Sequence, residues 1–413
     1  MGIKAIVLIA VTVVWLYEMT LHLIRMRSAD NPVPENVSDV YDAETYRKWR
    51  QYHGEKSRLA LVTSTVSWII GMLLLALNVY AAFAGLFPKD SPYIQMIAVL
   101  LLASLSELPM LPFSWYDTMR IEEKYGFNRS SKKTFWADQL KSFLISLVLM
   151  IGIGCLLTAA HCALGDWMTL AFAGAMTLVV LLISFLYPVL SKVFNKFTPL
   201  EDGELKDRLT ALLEKYGYHV RGIRVMDASR RTTKSNAYFT GFGKMKTIVL
   251  YDNLISRMTP DEICAVFAHE LGHGLHRDTL RNQILTGVQM IVIGVLAWLT
   301  LRTAEIYPAF GFEGVNYGFA IILIMSVEFA LIAPLFGLLI NWFSRRAEYR
   351  ADEQAVKEGY GEALITGLKK LAKENFSELA PSPLLVKLQY SHPPLSERID
   401  AIEQKQGKTE PAA

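Results

Sequence analysis

Cysteine is scarce and unpatterned in this chain. The three present, Cys155, Cys162 and Cys264, are odd in number and form no CxxC pair. That excludes a disulfide framework and a thiolate metal site. Cys155 and Cys162 share one apolar stretch and read as membrane-helix residues. Charge is also thin: charged residues make up 20% of the chain and the net charge is +3. Neither gives an electrostatic case for a nucleic-acid partner. A nucleotide is not expected either, because Gly241-Phe-Gly243-Lys244 lacks the G-x-x-x-x-G-K-[ST] spacing of a phosphate loop. No small-x-small cleavage site follows the first apolar run, and Ile6 stands where a myristoylation signal needs Ser or Thr. The first run is therefore read as a retained membrane helix.

What the sequence has in abundance is apolar length. Hydrophobic residues reach 52%, too many for an ordinary soluble enzyme of this size. Seven stretches are long enough to cross a bilayer, at about 3–23, 60–87, 94–116, 142–164, 168–190, 283–302 and 317–343. The 24–58, 117–141 and 191–282 regions and the tail after 343 are rich in Lys and Arg; those near 88–93, 165–167 and 303–316 are poor in them. The two sets alternate across all seven spans, so the positive-inside rule places the N-terminus outside and the C-terminus in the cytoplasm. The organisation expected is residues 1–190 as five membrane helices with cytoplasmic loops and 191–282 as a cytoplasmic catalytic region. Residues 283–343 then form two more spans, and 344–413 return to the catalytic part.

The chemistry centres on His269-Glu270-Leu271-Gly272-His273. Thr259, Pro260 and Glu262 open a helix ten residues earlier, with a capping box and proline at its first position. Residues four apart share a helix face, so His269 and His273 can hold one metal ion while Glu270 reaches a water beside it. A surface helix that happens to carry these residues is the plain alternative. A catalytic zinc also needs a third protein ligand. The metzincin extension fails, since Thr279 occupies the last histidine position. Beyond the seventh span, Glu348 and Asp352 lie four apart among arginines. Glu348 can ligate, and Asp352 can accept a hydrogen bond from a ligand imidazole. If the helices that enter near 283 and leave near 343 continue straight, these groups stand about 5–15 Å from one membrane surface.

Together with Phe194-Asn-Lys-Phe-Thr-Pro-Leu200, Ile121-Glu-Glu-Lys-Tyr-Gly-Phe-Asn128, Ser235-Asn-Ala-Tyr-Phe-Thr-Gly241 and His392-Pro-Pro-Leu-Ser-Glu-Arg398, these motifs run in order over most of the chain. It resembles the type I CaaX prenyl proteases, integral-membrane zinc metalloproteases. The resemblance implies a mainly α, multi-pass protein whose seven helices enclose a chamber, capped by a cytoplasmic metalloprotease domain with a small β-sheet. It implies one zinc ion per chain, held by His269, His273 and Glu348, with Glu270 as general base. It makes Asn236 a candidate for holding substrate backbone, with the β-like run Lys246–Tyr251 as a candidate edge for an extended peptide. It also sets His392 and Arg398 against the zinc site. His392 is expected to donate to the developing oxyanion, with Arg398 assisting it or fixing a nearby acid. Arg345, Arg346 and Arg350 are expected to meet water or headgroups. The chain lacks the long insertions and retrieval tail of many eukaryotic members, which suggests a compact member in a bacterial inner membrane.

The function expected is a zinc endopeptidase acting on membrane-associated or lipidated, CaaX-type substrates. A quality-control protease for damaged membrane proteins is the alternative within the same chemistry. A metal transporter is the contrasting class. It would place its ligands mid-membrane and would not need Glu270. Glu107 and Glu328 lie inside the third and seventh spans, where acids face water or protein rather than lipid. Pro109 and Pro112 should kink the third span.

Overall fold

A computed structural model describes residues 2–217, 222–240 and 247–409. Gly241–Lys246, which include the two glycines of the failed phosphate-loop match and the start of the β-like run, lie outside the described residues, as do residues 410–413.

Apolar length and proline placement dictate the membrane half. Helix α1 spans Ile3–Ser28 and closes with Arg25 and Arg27 in its last turn. Helix α2 (Ala43–Ala76) is capped by the Asp42 side chain and has 34 residues. At 1.5 Å per residue it is about 51 Å long, well beyond the roughly 30 Å hydrocarbon core, so its first half stands outside the bilayer. Asn78 then takes a left-handed conformation (φ 58°) before α3 (Val79–Ala84). Helix α4 (Pro92–Leu105) gives way to a 3₁₀ turn at Leu108–Met110, followed by α5 (Leu111–Tyr116) and a π-helical turn at Asp117–Glu122. Pro109 and Pro112 cause this break, since neither has an N–H to continue the α ladder. Helix α6 (Lys132–Leu164) ends where Gly165 adopts φ 53°, and α7 runs over Met168–Leu190.

The remaining elements are arranged around two further spans. In order come β1 (Phe197–Pro199), α8 (Glu204–Lys215), β2 (Gly222–Met226), β3 (Ala237–Thr240), β4 (Thr247–Tyr251), α9 (Asp252–Arg257) and α10 (Pro260–Leu275). Helices α11 (Asp278–Arg302), α12 (Ile306–Ala309) and α13 (Tyr317–Leu323) follow, and a π-helical turn leads into α14 (Phe329–Lys357). The chain closes with α15 (Gly361–Glu374), α16 (Pro383–Gln389) and α17 (Leu395–Thr409).

Six stretches of described residues are long and apolar enough to cross a membrane. One of them, Lys132–Ile183, contains the Gly165 turn and is therefore two crossings, which gives the seven spans expected. On α11, Ile284, Val288, Ile291, Val295 and Leu299 are exposed at helical spacing. A continuous apolar stripe left outside the fold is a lipid-facing surface. The protein is thus a multi-pass integral membrane protein. Between α4, α6, α7, α11 and α13 lies a cavity of about 1170 Å³, lined mainly by apolar residues, with Glu107 on its wall. Glu107 also lines a smaller cavity of about 300 Å³ against α1 and α2. Glu328 meets protein instead, accepting from the Thr300 hydroxyl at 2.7 Å.

The sheet order is β1-β2-β4-β3, with β2 and β4 parallel and the outer strands antiparallel. The expectation for the β-like run needs correcting here. β4 is an inner strand with Ile248, Val249 and Leu250 buried, so its backbone has no free edge. The outer strands are β1 and β3, and Asn236 immediately precedes β3.

Candidate active site

The site is built where α10 crosses α14. Glycine makes the crossing close: a Cβ on Gly272 would lie 2.8 Å from the Ala351 Cα. The α10 start is fixed as its sequence demands. The Thr259 hydroxyl accepts from the Glu262 N–H at 3.3 Å, and the Glu262 carboxylate accepts from the Thr259 N–H at 2.9 Å. From that start the buried face of α10 presents His269 and His273, whose rings meet edge to face with centroids 4.9 Å apart.

Glu348 comes from α14, which runs unbroken from membrane to site. Its carboxylate reaches both imidazoles: Oε2 lies 3.5 Å from His269 Nε2, and Oε1 lies 3.3 Å from His273 Nε2. Ligand atoms of the three residues all fall within 4.8 Å of one another. The donor set suits a metal ion of the zinc type, two imidazole nitrogens and one carboxylate oxygen. Glu348 Oε2 supports the fit, because it is buried and makes no hydrogen bond. Burial pushes the Glu348 carboxyl up, but His273, His269 and Arg398 outweigh it and hold it down at about 2. Burial pushes His273 down, yet hydrogen bonds to Asp278 and Glu348 carry it up to about 10.

Carboxylates hold the imidazoles from behind. His269 Nδ1 lies 2.8 Å from Asp352 Oδ1, and only the imidazole can donate there. Arg398 is buried and grips Asp352 with two hydrogen bonds, Nε at 2.9 Å and Nη2 at 2.6 Å. Of the two roles open to Arg398, the geometry matches fixing an acid. Behind His273 stands a residue that no sequence motif singles out: its Nδ1 lies 3.1 Å from Oδ2 of Asp278, the first residue of α11. Helices α10 and α11 are not continuous, as the straight-helix expectation had it. The chain turns at Arg277, which adopts φ 54°, and this returns Asp278 to the site.

Glu270 is partly buried beside this cluster and makes no hydrogen bond or ion pair to any described residue. Burial pushes its carboxyl up. His392 is exposed at the mouth, with Nε2 3.3 Å from Glu348 Oε1 and Nδ1 2.9 Å from the Ser391 hydroxyl. Arg345 holds the approach to His392 by donating to the carbonyls of Val386 and Tyr390 at 2.8 and 2.7 Å. Arg350 donates to Asp278 at 2.8 Å, and Arg346 lies over the Trp342 ring. Arg345 and Arg350 therefore bind protein, contrary to the expectation of water or headgroups. Their partners lie far off in sequence, and no local signal points to them. Asn236 is exposed, and its side-chain oxygen accepts from the Ala237 N–H at 2.9 Å.

Two family models cover this arrangement. One, described as CAAX prenyl protease N-terminal, five membrane helices, matches residues 22–196. The other, peptidase family M48, matches residues 199–406. A CAAX prenyl protease 1 homolog of Arabidopsis thaliana is 32% identical, covering 96% of this chain and 97% of its own length. The CAAX prenyl protease 1 of Saccharomyces cerevisiae is 31% identical, covering 91% of this chain and 89% of its own length. The crystal structure of S. mikatae Ste24p superposes with a TM-score of 0.89 at 30% identity, covering 98% of this chain and 99% of that one.

Proposed function

We propose, since this chain belongs to the CAAX prenyl proteases of peptidase family M48 and is a membrane metalloendopeptidase, that it cuts prenylated CaaX-type peptides at a zinc site of His269, His273 and Glu348. The observation that carries this reading is the convergence of Glu348, from a helix rising out of the membrane, on both imidazoles of α10. The names of the relatives supply the substrate class. The 1170 Å³ apolar cavity supports it, being roomier than the roughly 300–1,000 Å³ of a usual small-molecule site and suited to a hydrocarbon chain.

Bound zinc would polarise the scissile carbonyl and make water a nucleophile near neutral pH. The chain's own residues do the rest. Glu270, without a hydrogen-bond partner among the described residues, takes the proton from the attacking water and hands it to the leaving amine. Burial suits it to the second task, since it makes the protonated carboxyl easier to form. His392, at the mouth, donates to the carbonyl oxygen as charge develops there. Asp352 and Arg398 hold His269 in the tautomer that leaves Nε2 free to ligate. Asn236, at the start of the edge strand β3, holds substrate backbone.

In this reading, residues 191–282 and 344–413 form the peptidase and the remaining segments form the membrane part. The Lys/Arg asymmetry of the loops puts the site on the cytoplasmic side, with the N-terminus outside. The compact length that suggests a bacterial member is shared with the Arabidopsis relative, so it does not choose the membrane. The test is cleavage by purified protein of a farnesylated CaaX peptide, its unprenylated twin and an unfolded membrane protein. Preference for the farnesylated peptide supports the reading. Equal cleavage of all three would favour quality control.

A further inference from the structure

Asp352 accounts for only one of the two histidines. His273 lies one turn further along the same face of α10, where the motif supplies nothing to fix its ring. The chain beyond the motif supplies it: after the left-handed turn at Arg277, Asp278 points back and accepts from His273 Nδ1 at 3.1 Å. Asp278 is 5% exposed, so this carboxylate is withdrawn from water. Its other oxygen is held by Arg350 at 2.8 Å and faces Arg281 at 3.2 Å.

Arg350 belongs to α14, two residues after Glu348. One helix thus carries the carboxylate that faces the metal position, the acid that fixes His269 and the arginine that fixes the acid behind His273. The two histidines are served alike: Arg398 holds Asp352, which holds His269, and Arg350 holds Asp278, which holds His273. A ring held through Nδ1 keeps Nε2 directed at Glu348, and such partners of ligand imidazoles typically contribute about 10–100-fold in metal affinity.

We infer that Asp278, clamped by Arg350, is the positioning residue for His273 and sets how tightly the site holds its metal. The inference rests on His273 being a ligand. The plain alternative is that Asp278 only starts α11, where an acid in the first turn is favourable anyway.

The experiment is zinc affinity of the full-length protein in detergent, measured by competition with a chelating dye. Melting of the metal-free protein is followed alongside. Asp278→Ala should bind zinc about 10–100-fold more weakly, with metal-free melting somewhat lowered because Arg350 and Arg281 lose a shared carboxylate. Asp278→Asn keeps an acceptor oxygen but not the charge and should fall between. Arg350→Ala should weaken binding less than Asp278→Ala, and adding it to Asp278→Ala should cost nothing more, because it acts through that carboxylate. Wild-type affinity in Asp278→Ala overturns the inference. So does an equal loss in the Ala and Asn variants, the pattern of a helix-start residue. Should Asp278→Ala not fold, wild-type affinity in both Asp278→Asn and Arg350→Ala overturns it. His273→Ala separates the levels. Zinc lost there but kept at wild-type affinity in Asp278→Ala sinks this inference alone. Zinc kept in His273→Ala sinks the proposed site.

Discussion

His269 gives its Nδ1 proton to Asp352 across 2.8 Å, and the same carboxylate is gripped twice by the buried Arg398. Asp352 is thus satisfied on both oxygens, while the buried Oε2 of Glu348, one turn earlier on the same helix, makes no hydrogen bond. The two acids are four residues apart and differ in what they face.

That difference predicts their variants. Glu348→Ala should leave the protein without stoichiometric zinc. Asp352→Ala should retain zinc at about 10–100-fold lower affinity. Asp352→Ala should also be the less stable of the two, since it removes both hydrogen bonds of the buried Arg398 and leaves it only the Glu348 carboxylate at 3.4 Å, a loss of up to about 3–5 kcal/mol. Metal analysis and thermal melting check both. If Asp352→Ala loses zinc more completely than Glu348→Ala, the two roles are exchanged.

Gly272 predicts a packing effect where α10 crosses α14. Gly272→Ala would place a methyl 2.8 Å from the Ala351 Cα, so α10 and α14 must separate. The expected cost is about 1–3 kcal/mol of stability, with weaker zinc binding because Glu348 moves from the histidines. Wild-type melting and zinc affinity in Gly272→Ala would contradict the close crossing.

Much of the site is legible in the sequence, because helix geometry makes it local. His269 with His273, and Glu348 with Asp352, are each four apart, and that spacing alone puts each pair on one face. The kink after Glu107 is legible from Pro109 and Pro112. What escapes depends on breaks and on non-local pairing. An unbroken helix would carry Asp278 about 140° around the axis from His273. It returns because Arg277, a residue with no special liking for positive φ, turns the chain. The β4 run reads as a free edge because strand order is set by partners distant in sequence. Here β2 pairs with it in parallel and β3 covers its other side.

His392 should act on rate more than on binding. It is exposed at the mouth, where it meets the Ser391 hydroxyl and the edge of Glu348. His392→Ala should therefore remain fully metallated and fold normally, with kcat lowered by about 10²–10³ if it donates to the oxyanion and KM little changed. Wild-type kcat would leave the residue a surface turn.

Topology needs different reporters from the native thiols. Cys264 is fully buried, so an impermeant reagent would miss it from either side. Asp202, with 94% of its side chain exposed, and Asp90, on the loop between α3 and α4, are the better sites. In a cysteine-free background, an impermeant maleimide added to intact cells should label Asp90→Cys and not Asp202→Cys. The reverse pattern would invert the orientation.

The central claim is that Glu270 moves a proton and does not hold the metal. It is tested by measuring zinc content and peptidase activity on one preparation of Glu270→Gln. The amide is nearly the same shape but cannot accept the proton from water. The account predicts one zinc per chain, as in wild type, with peptide cleavage nearly abolished. His269→Ala and His273→Ala, measured alongside, should lose the metal itself. Cleavage by Glu270→Gln near the wild-type rate, with zinc in place, would contradict the account.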